Sequence, residues 1–413
     1  STPDLTPVTV QLAPDGSGDY PSLAAAVEAV PPGSTIRLAP GVHRVENHLI
    51  IDKDLFLSGA GPDQTTIEIS STGIAGIIAN GPAAFGFQDI TLAYSGEGWG
   101  ANLSIQDGEE ILVKNCRFTG AKFSQEEKMG GVGLYVFGST TGVIEQSEFD
   151  GNESNAIWVE GQADVAILSS TIHHNADYGI SLREDSQATL LYNDIYANGL
   201  HGIAAEDSAS FKAVENTTRD NGEAGILLTH KTRAELENNQ VSGNGLVGIF
   251  IRDEAAAVLT GNETHHNQGD GIAIYDEARG DLVENYSHDN QTYGVSIRMS
   301  AYADVTGNVI ANNGQTGILL TETGAAVIQD NMLVENGQHG IMLKNQAEAH
   351  IEGNFIEASA EAGIAFFDAA GGLALTNEFY RNLYGVYIGP GASPELSSNT
   401  YSGNTGGEIY DER

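Results

Sequence analysis

The chain has 413 residues and carries 18 Lys and Arg against 56 Asp and Glu, a formal charge of −38. It lacks the basic footprint that DNA or RNA binding requires, so no nucleic-acid partner is expected. One cysteine, Cys116, excludes an internal disulfide framework and a Cys-based zinc site, and no apolar run reaches the roughly 18 residues of a membrane span. The acidic excess suits a solubilising surface in salty surroundings. A cation-binding role would need clustered carboxylates, and most of these are dispersed. The first residue is Ser1 rather than Met, which fits a processed product and an expectation of a secreted or periplasmic location.

Residues 1–33 read as an opening strand and a helix. Val8–Leu12 alternates, Asp15–Asp19 is a turn, and Asp19 or Ser22 caps a helix carrying Leu23, Val27 and Val30. A stack of strands exposes its first rung, so this helix is expected to serve as the N-terminal cap. Residues 34–132 hold short strands at Thr35–Leu38, His48–Ile51, Leu55–Ser58 and Thr66–Ile69, broken by Gly, Pro and Asp, and form irregular early coils with loop insertions.

From 133 to 413 the chain repeats. Tyr178-Gly179-Ile180, His201-Gly202-Ile203, Ala224-Gly225-Ile226, Val247-Gly248-Ile249 and Asp270-Gly271-Ile272 follow one another every 23 residues, and the series runs on to Gly385-Val386. Counting each Gly as position 0, positions 1 and 3 are apolar, with further apolar residues near positions 11 and 16. Three short strands fit in 23 residues and a helix does not. The prediction is an all-β, three-sided right-handed parallel β-helix with an N-terminal capping helix, forming a single domain over 1–413. Asn columns at position 14 (Asn193 to Asn377) and position 19 (Asn152 to Asn336, then Ser359 and Asn382) are expected to stack as ladders. No helix is foreseen at the C-terminal rung, which leaves a partner or the charged tail to cover it.

The early segments Asp15-Gly16-Ser17-Gly18-Asp19-Tyr20, Ala39-Pro40-Gly41-Val42-His43, Ile50-Ile51-Asp52-Lys53 and Leu57-Ser58-Gly59-Ala60-Gly61 resemble the opening of pectin-lyase-like parallel β-helices. The Gly-Ile repeats resemble the carbohydrate-binding and sugar-hydrolase branch of that superfamily. The resemblance implies the fold and a carbohydrate partner. Its members include lyases, epimerases, hydrolases, a copper-maturation protein and non-enzymes.

Positions −1, 2, 4 and 5 of the Gly-Ile strand are read as outward, and their columns form a long face. Cleaving or epimerising a uronate needs its carboxylate neutralised, a base for the C5 proton and an acid beyond the ring. Arg252 and Arg298 are candidates to neutralise, and Tyr275, Tyr293, His230 and His339 to move protons. Asp253, Asp276, Glu322 and Lys344 are candidate substrate contacts, the three carboxylates also leaving room for Ca2+. Tyr293-Gly294-Val295-Ser296-Ile297-Arg298-Met299 is similar to the Tyr-Gly-x-Asp-Pro-His-Asp motif of mannuronan C5-epimerases, with Ser296 in place of its first Asp and Arg298 in place of its His. Two insertions, Tyr94–Gly100 with Trp99 and Thr119–Gly131, are expected to wall one end of the face, with Trp99 stacking on a sugar. His265 and His288 on adjacent coils form a candidate Zn2+ or Cu2+ site.

The leading expectation is a monomeric protein acting on acidic polysaccharide by C5 proton abstraction, as a lyase or else an epimerase. The alternatives are a non-catalytic glycan- or protein-binding scaffold and a protein that binds or delivers a metal.

Overall fold

The computed structural model describes residues 6–413; the first five residues of the predicted N-terminal segment lie outside the described residues. The chain packs as two compact units, Ser1–Phe211 and Lys212–Arg413. Each is built from short parallel strands in three sheets.

In the first unit the opening strand Thr9–Leu12 pairs in parallel with Ser34–Leu38. Helix α1, Leu23–Ala29, follows the predicted pattern. The Ser22 side chain caps it by accepting the Ala25 N–H at 3.2 Å, and Leu23, Ala26 and Val27 are buried. Regular coils set in after Gly133, with Leu134, Ile157, Ile180 and Ile203 as consecutive in-register partners. The insertion at 119–131 forms a small antiparallel hairpin, Phe123–Ser124 against Met129–Gly130. It reaches the neighbouring insertion through Gly100 N–H to Lys122 O at 3.0 Å and Gly131 N–H to Gly100 O at 3.1 Å.

In the second unit the Gly-Ile strands align with no slip: Ile226, Ile249, Ile272, Val295, Ile318, Ile341 and Ile364 are successive partners. Their side chains, with Leu236, Leu259, Leu282 and the position-16 residues Val241, Ile310 and Leu333, are fully buried. The repeated Gly of this unit is required by close approach of the next coil. A Cβ on Gly271 would lie 2.1 Å from Ser287 Oγ and 2.7 Å from Asn290 Nδ2; one on Gly248 would lie 2.5 Å from Gly271 O.

The Asn columns form the expected ladders. Asn285 donates through N and Nδ2 to Asn308 Oδ1 at 2.8 and 3.0 Å, and through Nδ2 to Leu259 O at 2.9 Å. Asn290 repeats this with Asn313 Oδ1 at 3.1 and 3.0 Å. These amides are buried, and the ladder satisfies corner backbone groups that would otherwise be stranded without water. The last strand, Gly407–Asp411, pairs only with Tyr384–Ile388 among the described residues, and leaves Ile409 and Tyr410 exposed.

Candidate functional site

Position 4 follows each Gly-Ile strand directly, and its main chain stays tied to the coil before. Arg252 N–H bonds Leu228 O, Tyr275 N–H bonds Ile251 O and Arg298 N–H bonds Ile274 O, at 2.9–3.0 Å. Long side chains from this position therefore stand one coil apart, about 4.8 Å, and meet one another. The Arg298 guanidinium carbon sits 5.0 Å from the centre of the Tyr275 ring and 5.4 Å from that of Tyr293, close enough for cation–π attraction on both. Phe250 meets Tyr275 edge-on at 5.0 Å, and Arg252 lies 5.7 Å from the Phe250 ring. These residues form one continuous patch.

Asp270 lies beneath the patch with 4% exposure. Its Oδ2 accepts the Ser296 hydroxyl at 2.5 Å and the Tyr275 hydroxyl at 3.5 Å, with Arg298 Nη2 at 3.6 Å. Its Oδ1 accepts the Thr292 hydroxyl and, at 3.3 Å, the Tyr293 N–H. A buried carboxylate held by so many donors is fixed in place, and it holds Arg298 in turn. Burial pushes both phenols above the ordinary tyrosine value. For Tyr275 the next cause is the Asp270 charge, which raises it further. For Tyr293 the next cause is Arg298, which pulls it back down.

The expectation that position −1 points outward is corrected at Ala224, Asp270, Thr316 and His339, which are buried, while Tyr178, Val247 and Tyr293 are half-buried. At Asp270 the physical reason is visible, since the side chains of Tyr275, Tyr293 and Arg298 close over it. Asp270, at a position the sequence pattern assigns to the surface, is the functional residue not legible from that pattern. Ser296 and Thr292, polar residues one coil on at positions 2 and −2, are the signal that a polar group is buried between them.

Of the other candidates, Asp253 and Asp276 touch the patch through Arg252. His339 is buried; its Nδ1 accepts Ala362 N–H at 3.2 Å and its Nε2 faces Glu361 Oε2 at 3.2 Å, so both ring nitrogens are engaged. Position 5 is a left-handed corner, with φ of 56° at His230, 60° at Asp253, 62° at Asp276 and 56° at Glu322. There the carboxylates bond to main chain of the preceding coil. Asp253 accepts His230 N–H at 3.0 Å, Asp276 accepts Asp253 N–H at 3.2 Å and Glu322 accepts Met299 N–H at 3.2 Å. Asp253 is held below the usual carboxylate range, first by the Thr229 hydroxyl and then by that His230 N–H. Arg252 lies 3.6 Å from Asp253 and 3.5 Å from Asp276. Lys344 is half-buried and makes no ion pair among the described residues.

The His265 and His288 rings stack with centres 5.0 Å apart. His265 Nδ1 meets His266 Nδ1 at 2.8 Å, while His288 is held by Glu263 at 3.0 Å and Asp289 at 2.7 Å. No group of three or more His, Cys, Asp or Glu positioned to hold a metal ion occurs among the described residues. Trp99, in the first unit, begins the strand Trp99–Gln106 opposite Thr72 and is half-buried. That unit has its own aromatic group: Arg183 lies 4.9 Å from the Trp158 ring, and Trp158 lies 5.3 Å from Tyr135.

Residues 101–256, 226–373 and 293–412 each match the family described as right handed beta helix region. The chain belongs to the right-handed β-helix family. No curated protein sequence matches this β-helix. Among solved structures it is similar to the mannuronan C-5 epimerase AlgE6 A-module of Azotobacter vinelandii, at 16% identity over 94% of each chain and a TM-score of 0.47. It is also similar to the periplasmic alginate epimerase AlgG, at 14% identity over 95% of this chain and 83% of that one, TM-score 0.49. A third is pectate lyase Pel9A, at 15% identity over 79% and 80%, TM-score 0.47. No helix of the described residues is long and apolar enough to cross a membrane.

Proposed function

We propose that this β-helix is a secreted or periplasmic carbohydrate-active enzyme that abstracts the C5 proton of a uronate within an acidic polysaccharide. The observation that carries the reading is the Arg298 guanidinium between Tyr275 and Tyr293 over the buried Asp270. A uronate C5–H becomes acidic only when its carboxylate charge is neutralised, and Arg298, with 31% of its side chain exposed, supplies that charge. The two phenols divide the proton transfers, because pairs of titrating groups in unlike surroundings take unlike roles. Tyr293, whose main downward influence is Arg298, is the base as its phenolate and takes the C5 proton. Tyr275, kept protonated by burial and Asp270, is the acid.

The electron pair left at C5 moves into the carboxylate against Arg298. In elimination it then forms the C4–C5 double bond, the C4–O bond breaks, and Tyr275 gives its proton to the departing glycosidic oxygen. In epimerisation the C5 carbon takes that proton on its other face instead. Elimination is the leading outcome. The test is incubation with alginate, pectate and related polymers, following ultraviolet absorbance of unsaturated ends and NMR of the residual polymer. Ultraviolet absorbance of unsaturated ends is the expected result for elimination and solvent deuterium at C5 for epimerisation, and the absence of both on every polymer refutes the reaction.

A second reading, a non-catalytic glycan-binding scaffold, is favoured by the Tyr135, Trp158 and Arg183 group, since aromatic faces and a guanidinium suit sugar stacking. Binding without chemistry would select it.

A further inference from the structure

Positions 4 and 5 of the second unit alternate with a period of two coils. At position 4, Arg252, Arg298 and Lys344 are separated by the neutral Tyr275 and Thr321 and followed by Phe367. At position 5 Asp253 accompanies Arg252, and from the next coil on the acids Asp276, Glu322 and Asp368 fall on the coils with a neutral position 4, while Met299 and Asn345 accompany Arg298 and Lys344. The alternation is held rigidly. Thr321 N–H bonds Ile297 O at 3.1 Å, Lys344 N–H bonds Leu320 O at 3.1 Å and Phe367 N–H bonds Leu343 O at 2.9 Å, continuing the ladder through Arg252, Tyr275 and Arg298. Glu322 makes no ion pair with Arg298 or Lys344 among the described residues, and Asp276 and Asp368 each turn an oxygen onto main chain. Arg252 does meet Asp253 at 3.6 Å and Asp276 at 3.5 Å, and Arg298 meets Asp270 at 3.6 Å, but 46% of the Arg252 side chain and 31% of the Arg298 side chain stay exposed, so both remain accessible to a ligand.

Cations on every second coil stand about 9.6 Å apart. An extended 1,4-linked uronate chain advances by close to one coil rise per sugar. In a two-fold chain the carboxylates of alternate sugars face the same way. We propose that Arg252, Arg298 and Lys344 are a register that binds alternate carboxylates of a two-fold uronate chain lying along the coils, one sugar per coil. Acids on the intervening coils face sugars whose carboxylates point away, and their free oxygens accept hydroxyl protons there. The register deepens the functional reading above and rests on its uronate ligand, though not on catalysis.

The test is equilibrium binding of size-fractionated 1,4-linked oligomannuronates of one to seven sugars, by titration calorimetry. Arg252 to Lys344 spans five coils, so affinity rises in steps at the third and fifth sugars, about three- to fivefold each, and levels off after the fifth. K344Q removes the fifth-sugar step alone. K344Q/F367K, which restores the charge one coil out of register, does not bring it back. An even gain per added sugar in the unmodified protein overturns the register, as does full recovery in K344Q/F367K or no binding of any oligomer. Stepwise binding without turnover would refute the reaction proposed above and leave the register standing; turnover with an even length dependence would do the reverse.

Discussion

Ser296 gives its hydroxyl proton to Asp270 Oδ2 at 2.5 Å, the same oxygen that faces Tyr275 and Arg298. Asp270→Asn exchanges an acceptor for a donor toward either Ser296 or Thr292, and frees the guanidinium from its anchor. Turnover should fall by about 100-fold or more, the scale of losing one preorganised electrostatic group. Ser296→Ala, which removes one donor and no charge, should cost far less. Equal losses in the two variants, measured as kcat/KM on the best polymer, would detach Asp270 from the chemistry.

Tyr293→Phe and Tyr275→Phe should separate in their isotope behaviour. The first loses both product and deuterium exchange at C5 of the residual polymer, and the second, whose base still removes and returns the C5 proton, keeps some exchange while losing product, each lowering turnover by about 100- to 10,000-fold. Because burial holds the Tyr293 phenol above 10.0, its phenolate fraction grows with pH through the neutral and mildly alkaline range. Activity should therefore climb with pH there, and Tyr293→Phe should abolish the climb. A flat profile in the parent would remove Tyr293 as base.

His339 makes a prediction about stability. Burial lowers its value below 6.5, with Glu361 opposing. The unfolded chain therefore binds a proton that the folded one refuses, and the sign follows: stability is full above about 6.5 and declines as pH falls toward the depressed folded value. Urea midpoints measured from pH 7.5 to 5 should drop less steeply in His339→Gln than in the parent. An unchanged slope would mean that His339 does not set it.

Gly271→Ala and Gly307→Ala distinguish two uses of glycine. Gly307 has φ +67° but its added Cβ would meet only Glu284 Cγ at 3.7 Å, whereas Gly271 would meet Ser287 Oγ at 2.1 Å. Gly307→Ala should cost about 1–2 kcal/mol of backbone strain. Gly271→Ala should cost more, because a coil must move; overpacking alone takes about 1–3 kcal/mol. Denaturant midpoints test the order, and the reverse order would refute the packing account.

Asn285→Ala should destabilise strongly for an uncharged residue. It leaves Asn262 N–H, one of the two Asn262 Nδ2 hydrogens and Leu259 O without their Asn285 partner, while Asn262 Nδ2 keeps Leu236 O, each orphan costing about 1–3 kcal/mol. Asn345→Ala, at an exposed corner, is the control. Similar midpoints in the two variants would show that the ladder contributes little.

The coil architecture was legible because strict in-register stacking repeats each packing constraint at a fixed interval. Gly271, Ile272 and Asn285 each recur for a local reason that every coil shares. The functional columns were harder to read. Period-two alternation assigned Asp270 to the surface, yet long side chains from the next positions fold back over it. Asp253, Asp276 and Glu322 read as free carboxylates because a sequence does not reveal that position 5 turns left-handed and offers an N–H to the following coil's side chain. Arg298, Tyr275 and Tyr293 were picked separately; their contact follows from neighbouring coils lying one strand spacing apart.

The exact in-register stacking of the second unit also constrains how its gene can change length. Each coil meets only its neighbours, so loss or duplication of one 23-residue unit between Arg252 and Lys344 would preserve the Gly, Ile and Asn columns. It would nevertheless set two cations, or two neutral residues, side by side in position 4. Gain or loss of two units together would leave the charge order intact. Homologues retaining the alternation should therefore differ in length over this region by even numbers of coils.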